Sequence, residues 1–283
     1  MTRQTSPGRA IDPEKLLRRL EKRLAKSEFR RTELEELMDG SQAFQRRVIS
    51  DIEAAKAKIE HLYASLEIEQ GRTEQLLRSI MPESIAEELK INGKVRPRQV
   101  ESATVMFTDF VDFTKSTEAM DPVVLVGMLD RYYGAFDEIA AKHGVEKVKT
   151  IGDAYMTVAG DLNDSGDIDH VAATCAAAVE IMDYVSGRLE QTVADEFAGW
   201  AVRIGIHTGP ISTGVVGTKR LSFDIWGDTV NTASRMVSAC APNTILLSAV
   251  SADLFDQPQR VEQHGDIQAK GKGTLQAFRL KTS

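Results

Sequence analysis

Two aspartates stand where short β-branched and aromatic runs end. Asp109 follows the predicted strand Ala103–Phe107, and Asp153 lies in a turn between predicted strands Lys147–Ile151 and Ala154–Ala159. Carboxylates at strand ends suit Mg²⁺, a hard cation that proteins bind through one or two carboxylates together with substrate phosphates. Taken alone, either aspartate is more often a turn or cap residue. The neighbouring residues must therefore distinguish a metal site from a turn or cap.

A second pair is spaced by one helical turn. Asn231 and Arg235 lie four residues apart in the predicted helix Thr229–Ala239, so both side chains project from one face. An amide can orient a hydroxyl group, and a guanidinium can stabilise charge on a phosphoryl group. The alternative is a surface hydrogen bond beside a solvated arginine.

Three lysines are further candidates. Lys149 alternates with Lys147 along a predicted strand, so it either binds a ligand or faces solvent. Lys270 and Lys272 alternate with glycines, which give their loop the freedom to approach a ligand. A solvated basic surface is the alternative for that pair.

These residues belong to longer motifs that occur in a set order. The motifs are Phe107–Thr114, Lys147–Met156, Phe223–Met236 and Lys270–Gly273. Together they closely resemble the catalytic domain of class III nucleotidyl cyclases, over about residues 101–280. The preceding residues 76–98 are similar to the transducer segment found ahead of that domain. The resemblance implies an α+β, ferredoxin-like fold with an antiparallel-rich sheet and helices.

The resemblance also implies a role for each candidate. Asp109, Asp153 and the backbone carbonyl of Phe110 would hold two Mg²⁺ ions, for which Mn²⁺ can substitute. Asn231 would orient the ribose and Arg235 would stabilise charge at the α-phosphate. The remaining phosphate contacts would come from the backbone N–H groups of Val111, Asp112, Phe113 and Thr114 and from Lys270, with Lys272 as the fallback. Asp112 departs from the family pattern, which usually has a small residue there, and an added carboxylate puts nucleotide affinity in doubt.

The residues at the two purine-reading positions of the family are Lys149 and Asp224. Adenine offers an acceptor at N1 and a donor amine at C6, which match one cation and one carboxylate. The sequence therefore predicts an adenylate cyclase, a lyase of cAMP biosynthesis that converts ATP to 3′,5′-cyclic AMP and pyrophosphate. Three alternatives are a guanylate or dual-specificity cyclase, a catalytically weak nucleotide-binding dimerisation module, and a coiled-coil scaffold.

The N-terminal third predicts one long helix. From Leu16 to Leu77 it is rich in Glu, Lys, Arg, Leu and Ala and nearly free of Gly and Pro. A heptad register has mostly apolar residues at its a and d positions. The a positions are Leu17, Leu24, Arg31, Met38, Gln45, Ile52, Ile59 and Leu66, and the d positions are Leu20, Ser27, Leu34, Ser41, Val48, Ala55, Leu62 and Glu69. A parallel dimeric coiled coil is favoured; the alternative is a hairpin folded back at Asp39–Ser41.

Composition excludes several other classes of protein. The net charge of −7 and pI near 5.4 argue against a nucleic-acid binder, and two cysteines are too few for a disulfide framework or a cysteine zinc site. No apolar run reaches the length of a transmembrane segment, and residues 1–10 lack a signal-peptide pattern. We therefore expect a cytoplasmic homodimer, joined through its catalytic domains and coiled coils, that responds to an upstream sensor or regulatory protein.

The predicted organisation has four parts: a disordered N-terminus (1–15), a helical coiled coil (16–77), a transducer segment or linker (78–100) and a catalytic domain (101–283). Within the last two we expect helices at Glu83–Lys90, Thr117–His143 and Ile168–Leu189. Trp200–His207 and Ile211–Val216 read as two strands, and short strands follow Thr244. Because strands and helices alternate without a repeating rhythm, we expect one sheet with helices on one face.

Overall fold

A computed structural model describes residues 12–161, 169–191, 200–269 and 271–282. The chain divides into two compact units, Met1–Arg72 and Thr73–Ser283. The helices are α1 (Pro13–Arg78), α2 (Glu83–Asn92), α3 (Phe113–Thr117), α4 (Pro122–Lys142), α5 (His170–Gln191), α6 (Asp228–Ala239) and α7 (Ala249–Leu254), with a 3₁₀ turn at Pro258–Arg260. The strands are β1 (Arg98–Phe110), β2 (Glu146–Ile151), β3 (Ala154–Gly160), β4 (Val202–Val216), β5 (Ser222–Trp226), β6 (Thr244–Ser248), β7 (Val261–Ala269) and β8 (Gly273–Leu280).

Helix α1 begins earlier than predicted and has no break. Asp12 Oδ1 accepts the N–H of Glu14 at 3.2 Å, and Pro13 occupies the first helical position, where its missing N–H costs nothing. The predicted disorder of residues 1–15 is therefore wrong for Pro13 to Lys15, while residues 1–11 lie outside the described part. Asp39–Ser41 is helical, so the hairpin alternative is also wrong. One glycine costs only about 1 kcal/mol against alanine in a helix.

The second unit is built on one sheet with strand order β2-β3-β1-β4-β6-β8-β7, and β5 pairs with β4. Among the described strands, every pairing is antiparallel except β4 with β6. This arrangement confirms the predicted α+β, antiparallel-rich class.

Helices cover both faces of the sheet, so the prediction of one covered face is wrong. Alternate residues of β1 point to opposite sides: Met106 packs in a core with α4 and α5, whereas Val105 packs in a second core with α2 and α6. The continuous apolar run of β1, buried on both sides, is typical of a central strand.

Two boundaries differ from prediction for local reasons. The two strands predicted at 200–207 and 211–216 are one strand, β4, which passes through Pro210 opposite an irregularity in β1 between Val100 and Ala103. Proline is tolerated at such bulges. The helix predicted at 117–143 is divided, because Asp121 caps α4 by accepting the Val123 N–H at 2.8 Å, with Pro122 in the first turn.

Candidate active site

The pairing of β1 with β3 brings Asp109 close to Asp153. Thr108 lies opposite Tyr155, so the end of β1 meets the β2–β3 turn. Gly152 makes that turn with φ 64°, a left-handed conformation that glycine adopts without strain. The pKa of the Asp153 carboxyl is raised, first by burial and then by the negative charge of Asp109. The two carboxylates are thus held near enough to repel each other.

This repulsion indicates a site that suits a cation, because a positive ion would relieve it. In the described residues no cluster of three or more His, Cys, Asp or Glu side chains forms a complete metal site. Two carboxylates with further oxygen from phosphates and water are the donor set of Mg²⁺. Phe110, whose carbonyl was the third predicted ligand, is anchored by its ring among Phe113, Tyr132, Tyr133, Phe136 and Trp200. The donor set present therefore fits a hard divalent cation.

Sequence reasoning missed two residues beside these carboxylates. Arg203 lies opposite Asp109 in the β1–β4 register, and its Nη2 and Nε approach Asp109 Oδ2 at 2.6 and 2.9 Å. The Tyr133 hydroxyl is buried and has no hydrogen-bond partner among the residues that the structure describes. Burial, followed by the negative charges of Asp153 and Asp109, raises its pKa to about 12. Neither residue has a local sequence signal, because both contacts depend on how distant elements pack against each other.

The turn after β1 was predicted to contact phosphates. Asp112 adopts a left-handed conformation, with φ 51° and ψ 28°, and its Oδ1 lies 3.2 Å from Lys115 Nζ. Phe113 packs on Trp200, and Thr114 is exposed at the start of α3. The N–H of Val111 donates to the Ala201 carbonyl at 2.9 Å, which counts against Val111 as a phosphate ligand.

Lys149 and Asp224 form an ion pair between β2 and β5. Lys149 Nζ lies 2.5 Å from Asp224 Oδ2, and the side chains are 36% and 15% exposed, so Lys149 does not simply face solvent. A register shift after Lys147 changes the simple alternation that the sequence suggested. Lys147 instead pairs with Asp137 at 2.8 Å.

Helix α6 carries Asn231 and Arg235 and lies very close to β4. A Cβ atom added to Gly205 would be 2.1 Å from the Val237 nitrogen, so only glycine permits this approach. Within the part of the chain that the structure describes, the side chains of Asn231 and Arg235 make no hydrogen bond or ion pair. Asn231 is exposed and Arg235 is half-buried.

The loop between β7 and β8 begins at Lys270, which lies outside the described residues. Gly271 and Gly273 both have positive φ, 83° and 75°, so the alternating glycines are required by the backbone. Lys272 forms an ion pair with Asp228 in the first turn of α6. Burial, and then the positive charge of Lys272, lowers the pKa of His207 to about 4.

Comparison with known proteins assigns the chain to a family. The family described as "Adenylate and Guanylate cyclase catalytic domain" matches residues 95–282. The chain belongs to this cyclase family. The cyclase is 36% identical over 235 residues to guanylate cyclase soluble subunit beta-2 of Rattus norvegicus, covering 81% of this chain and 33% of that protein.

Relatives of both substrate types are equally similar. The cyclase is 36% identical over 218 residues to an adenylate cyclase of Mycobacterium bovis, covering 77% of this chain and 48% of the relative. Its fold matches the crystal structure of the adenylyl cyclase CyaB from P. aeruginosa with a TM-score of 0.61 and 26% identity, over 67% of this chain and 97% of the other. The cyclase spans a third to a half of the length of these two relatives.

Six of the predicted site residues thus lie in three places. Asp109 and Asp153 are together, Lys149 and Asp224 are together, and Asn231 and Arg235 share a face of α6. Among the described residues, no hydrogen bond or ion pair joins the α6 pair to the carboxylates. None of the helices described has the length and apolar character needed to cross a membrane.

Proposed function

We propose that this chain is an adenylate cyclase that converts ATP to 3′,5′-cyclic AMP and pyrophosphate at a homodimer interface. The observation that carries the proposal is the ion pair between Lys149 and Asp224. It holds a donor and an acceptor side by side, in the polarity that the N1 acceptor and C6 amine of adenine require.

Guanine would fit this pair poorly. It presents an acceptor at O6 and a donor at N1, so an acidic residue at position 149 would match it better than Lys149 does. A buried donor or acceptor left unpaired costs about 1–3 kcal/mol. Because Asp224 is also held by the backbone N–H of Ile225 at 2.9 Å, it has little freedom to turn and adapt.

Asp109, Asp153 and the Phe110 carbonyl would hold two Mg²⁺ ions, or Mn²⁺ in their place. When bound, such ions make the ribose 3′-hydroxyl a better nucleophile and neutralise charge on the triphosphate. Asn231 would orient the ribose, and Arg235 would stabilise charge at the α-phosphate. Lys270, or Lys272 as the fallback, would bind phosphate. The absence of protein partners for Asn231 and Arg235 among the described residues supports these roles, since it leaves both side chains available to a substrate.

The separation of the site residues within one chain supports a dimeric site. A two-fold homodimer would place Asp109 and Asp153 of one protomer opposite Asn231 and Arg235 of the other, giving two equivalent sites.

In the first unit, α1 has exposed apolar side chains at its heptad positions, for example Leu17 at 60% and Leu24 at 61%. A parallel coiled coil with a second copy would bury them, and a change in its register would alter how the catalytic halves meet. An upstream sensor or regulatory protein could act through that change.

A second candidate function is a guanylate or dual-specificity cyclase, because relatives of both types match at 36% identity. The two candidates differ in the base that positions 149 and 224 select. We expect the wild type to have a higher kcat/KM for ATP than for GTP. The double variant Lys149→Glu with Asp224→Cys should raise GTP use relative to ATP by about tenfold or more, the equivalent of 1.4 kcal/mol.

The measurement is initial rates with each nucleotide, in Mg²⁺ and in Mn²⁺, on protein of known oligomeric state. Lys147→Glu is the matched control, because it reverses a charge on the same strand but at a residue paired with Asp137. It should leave the ATP to GTP ratio unchanged. A wild type that prefers GTP overturns the adenylate proposal.

The same assay addresses a catalytically weak dimerisation module. Asp109→Ala should abolish metal-dependent product formation from a wild type that turns over. If the wild type binds nucleotide but forms no product under any of these conditions, the binding module becomes the better description.

A further inference from the structure

We infer that Arg203 is a positioning residue for the Asp109–Asp153 carboxylate pair. It also supplies a positive charge that partly balances the two carboxylates. The inference rests on the proposed function, in which these two aspartates hold the metal ions. Arg203 contacts Asp109, and we place its role in that contact with the carboxylate.

The geometry of the contact fixes one oxygen of Asp109. Both Nη2 and Nε of Arg203 lie within 2.9 Å of Oδ2. Because both contacts fall on Oδ2, we place the cation on the side of Oδ1. Since β1 and β4 place the two residues directly opposite each other, the sheet itself holds the guanidinium in place.

The electrostatic environment gives the guanidinium a second effect. The side chains of Asp109 and Arg203 are only 17% and 31% exposed, so their charges are poorly screened by water. The positive charge of Arg203 acts on Asp153 as well as on Asp109. Without it, the repulsion between the two partly buried carboxylates would increase, and a metal ion would have to supply more of the counter-charge.

A lysine in this place would keep the charge but lose the rigid fork. The guanidinium presents two donors in one plane, whereas an ammonium group is a single mobile point charge. The two consequences of the proposal, orientation and charge balance, can therefore be separated by two substitutions. Arg203→Met removes both, and Arg203→Lys removes mainly orientation.

The experiment uses the full chain and measures the melting temperature with and without Mn²⁺, Mn²⁺ binding by electron paramagnetic resonance, and turnover of ATP. For Arg203→Met we expect a lower melting temperature without metal, a larger Mn²⁺-induced increase than in the wild type, and turnover reduced by about 10–100-fold. For Arg203→Lys we expect a Mn²⁺-induced increase close to that of the wild type, but still reduced turnover. Arg260→Met is the control, because Arg260 is half-buried and binds a backbone carbonyl, that of Lys281, at 3.0 Å.

A purely structural role predicts a different result: Arg203→Met would be less stable, yet Mn²⁺ would stabilise it no more than the wild type or Arg260→Met. That outcome, or wild-type turnover in Arg203→Lys, overturns the inference. If Arg203→Met does not fold, the turnover of Arg203→Lys tests the inference alone: reduced turnover supports it and wild-type turnover overturns it. If the wild type and Asp109→Ala respond identically to Mn²⁺, it is the proposed metal site that fails.

Discussion

Asp112 occupies a backbone position that favours glycine. Its φ of 51° lies in the left-handed region, which costs most L-residues about 1–2 kcal/mol, although aspartate is among the more tolerant. The resemblance to class III cyclases leads us to expect a small residue there. Aspartate therefore adds a negative charge at a turn proposed to face the triphosphate, and Lys115 balances it only from an exposed ion pair.

We expect Asp112→Gly to lower the KM for ATP about fivefold, because one like charge near phosphate is worth roughly 1 kcal/mol in a solvated site. The stability should change by less than about 1 kcal/mol, as glycine suits the φ but is more flexible when unfolded. Steady-state kinetics at fixed Mg²⁺ and urea unfolding measure the two effects. Asp112→Asn is the control, since it removes the charge and tolerates the same φ. If neither variant alters KM, the carboxylate does not affect nucleotide binding.

For single residues, the sequence predicted those whose type and position in a motif indicate a role. Asp109, Asp153, Lys149 and Asp224 were predicted, and the structure brings them together as two pairs. Arg203 was missed because its partner Asp109 is 94 residues away and the contact depends on strand register. An arginine in a strand gives no local indication of the residue across from it.

Helix α6 must lie against β4 for Asn231 and Arg235 to reach the positions proposed for them, at the ribose and the α-phosphate. At Gly205 a methyl group would stand 2.1 Å from Val237 nitrogen, and backbone cannot move aside as a side-chain tip can. The close approach therefore sets the height of α6 above the sheet.

Gly205→Ala should displace α6, with a stability loss of about 1–3 kcal/mol. Turnover should fall at least tenfold in protein that is still folded, because Asn231 and Arg235 move with the helix. Chemical denaturation and kcat measure the two effects. Gly214→Ala on the same strand is the control, since its new methyl would be 3.6 Å from the nearest atom, the Trp226 ring. Wild-type turnover in Gly205→Ala would show that the position of α6 does not limit the reaction.

Elements with local signals were predicted well, and those fixed by pairing were not. Strands β2 and β3 could be found because alternating residues flank a glycine turn, and α6 because its apolar face repeats with helical spacing. The unbroken course of β4 through Pro210 depends on the irregularity of β1 beside it. The coverage of both faces could be predicted only in part: residues 103–107 of β1 form a largely apolar run, which is typical of a strand buried on both sides.

On the scale of the whole molecule, the site described in one chain is divided. Asp109 lies near the end of β1 and Asp153 in the β2–β3 turn, whereas Asn231 and Arg235 are on α6 and make no hydrogen bond or ion pair with other described side chains. One two-fold operation would bring the first group of each chain to the second group of the other. Activity would then belong to the dimer, and each protomer would contribute half of each site.

This arrangement predicts complementation between two inactive variants. Asp109→Ala and Arg235→Ala should each lose nearly all turnover, since every site in either homodimer lacks one group. In a mixed dimer, one site receives intact Asp109 from one chain and intact Arg235 from the other, while the second site lacks both. After unfolding and refolding together in equal amounts, half of the dimers should be mixed, which gives about a quarter of wild-type turnover.

The measurement is cyclic AMP formation at a protein concentration where dimers persist, with each variant refolded alone for comparison. A mixture of Asp109→Ala with Asp153→Ala is the matched control. Both changes remove groups from the same half-site, so every site in that mixed dimer still lacks a carboxylate and turnover should stay at background. Restoration by this control would mean that subunit mixing stabilises the protein in some general way. No restoration by Asp109→Ala with Arg235→Ala, in dimers shown to be mixed, would place all the catalytic groups of a site in a single chain.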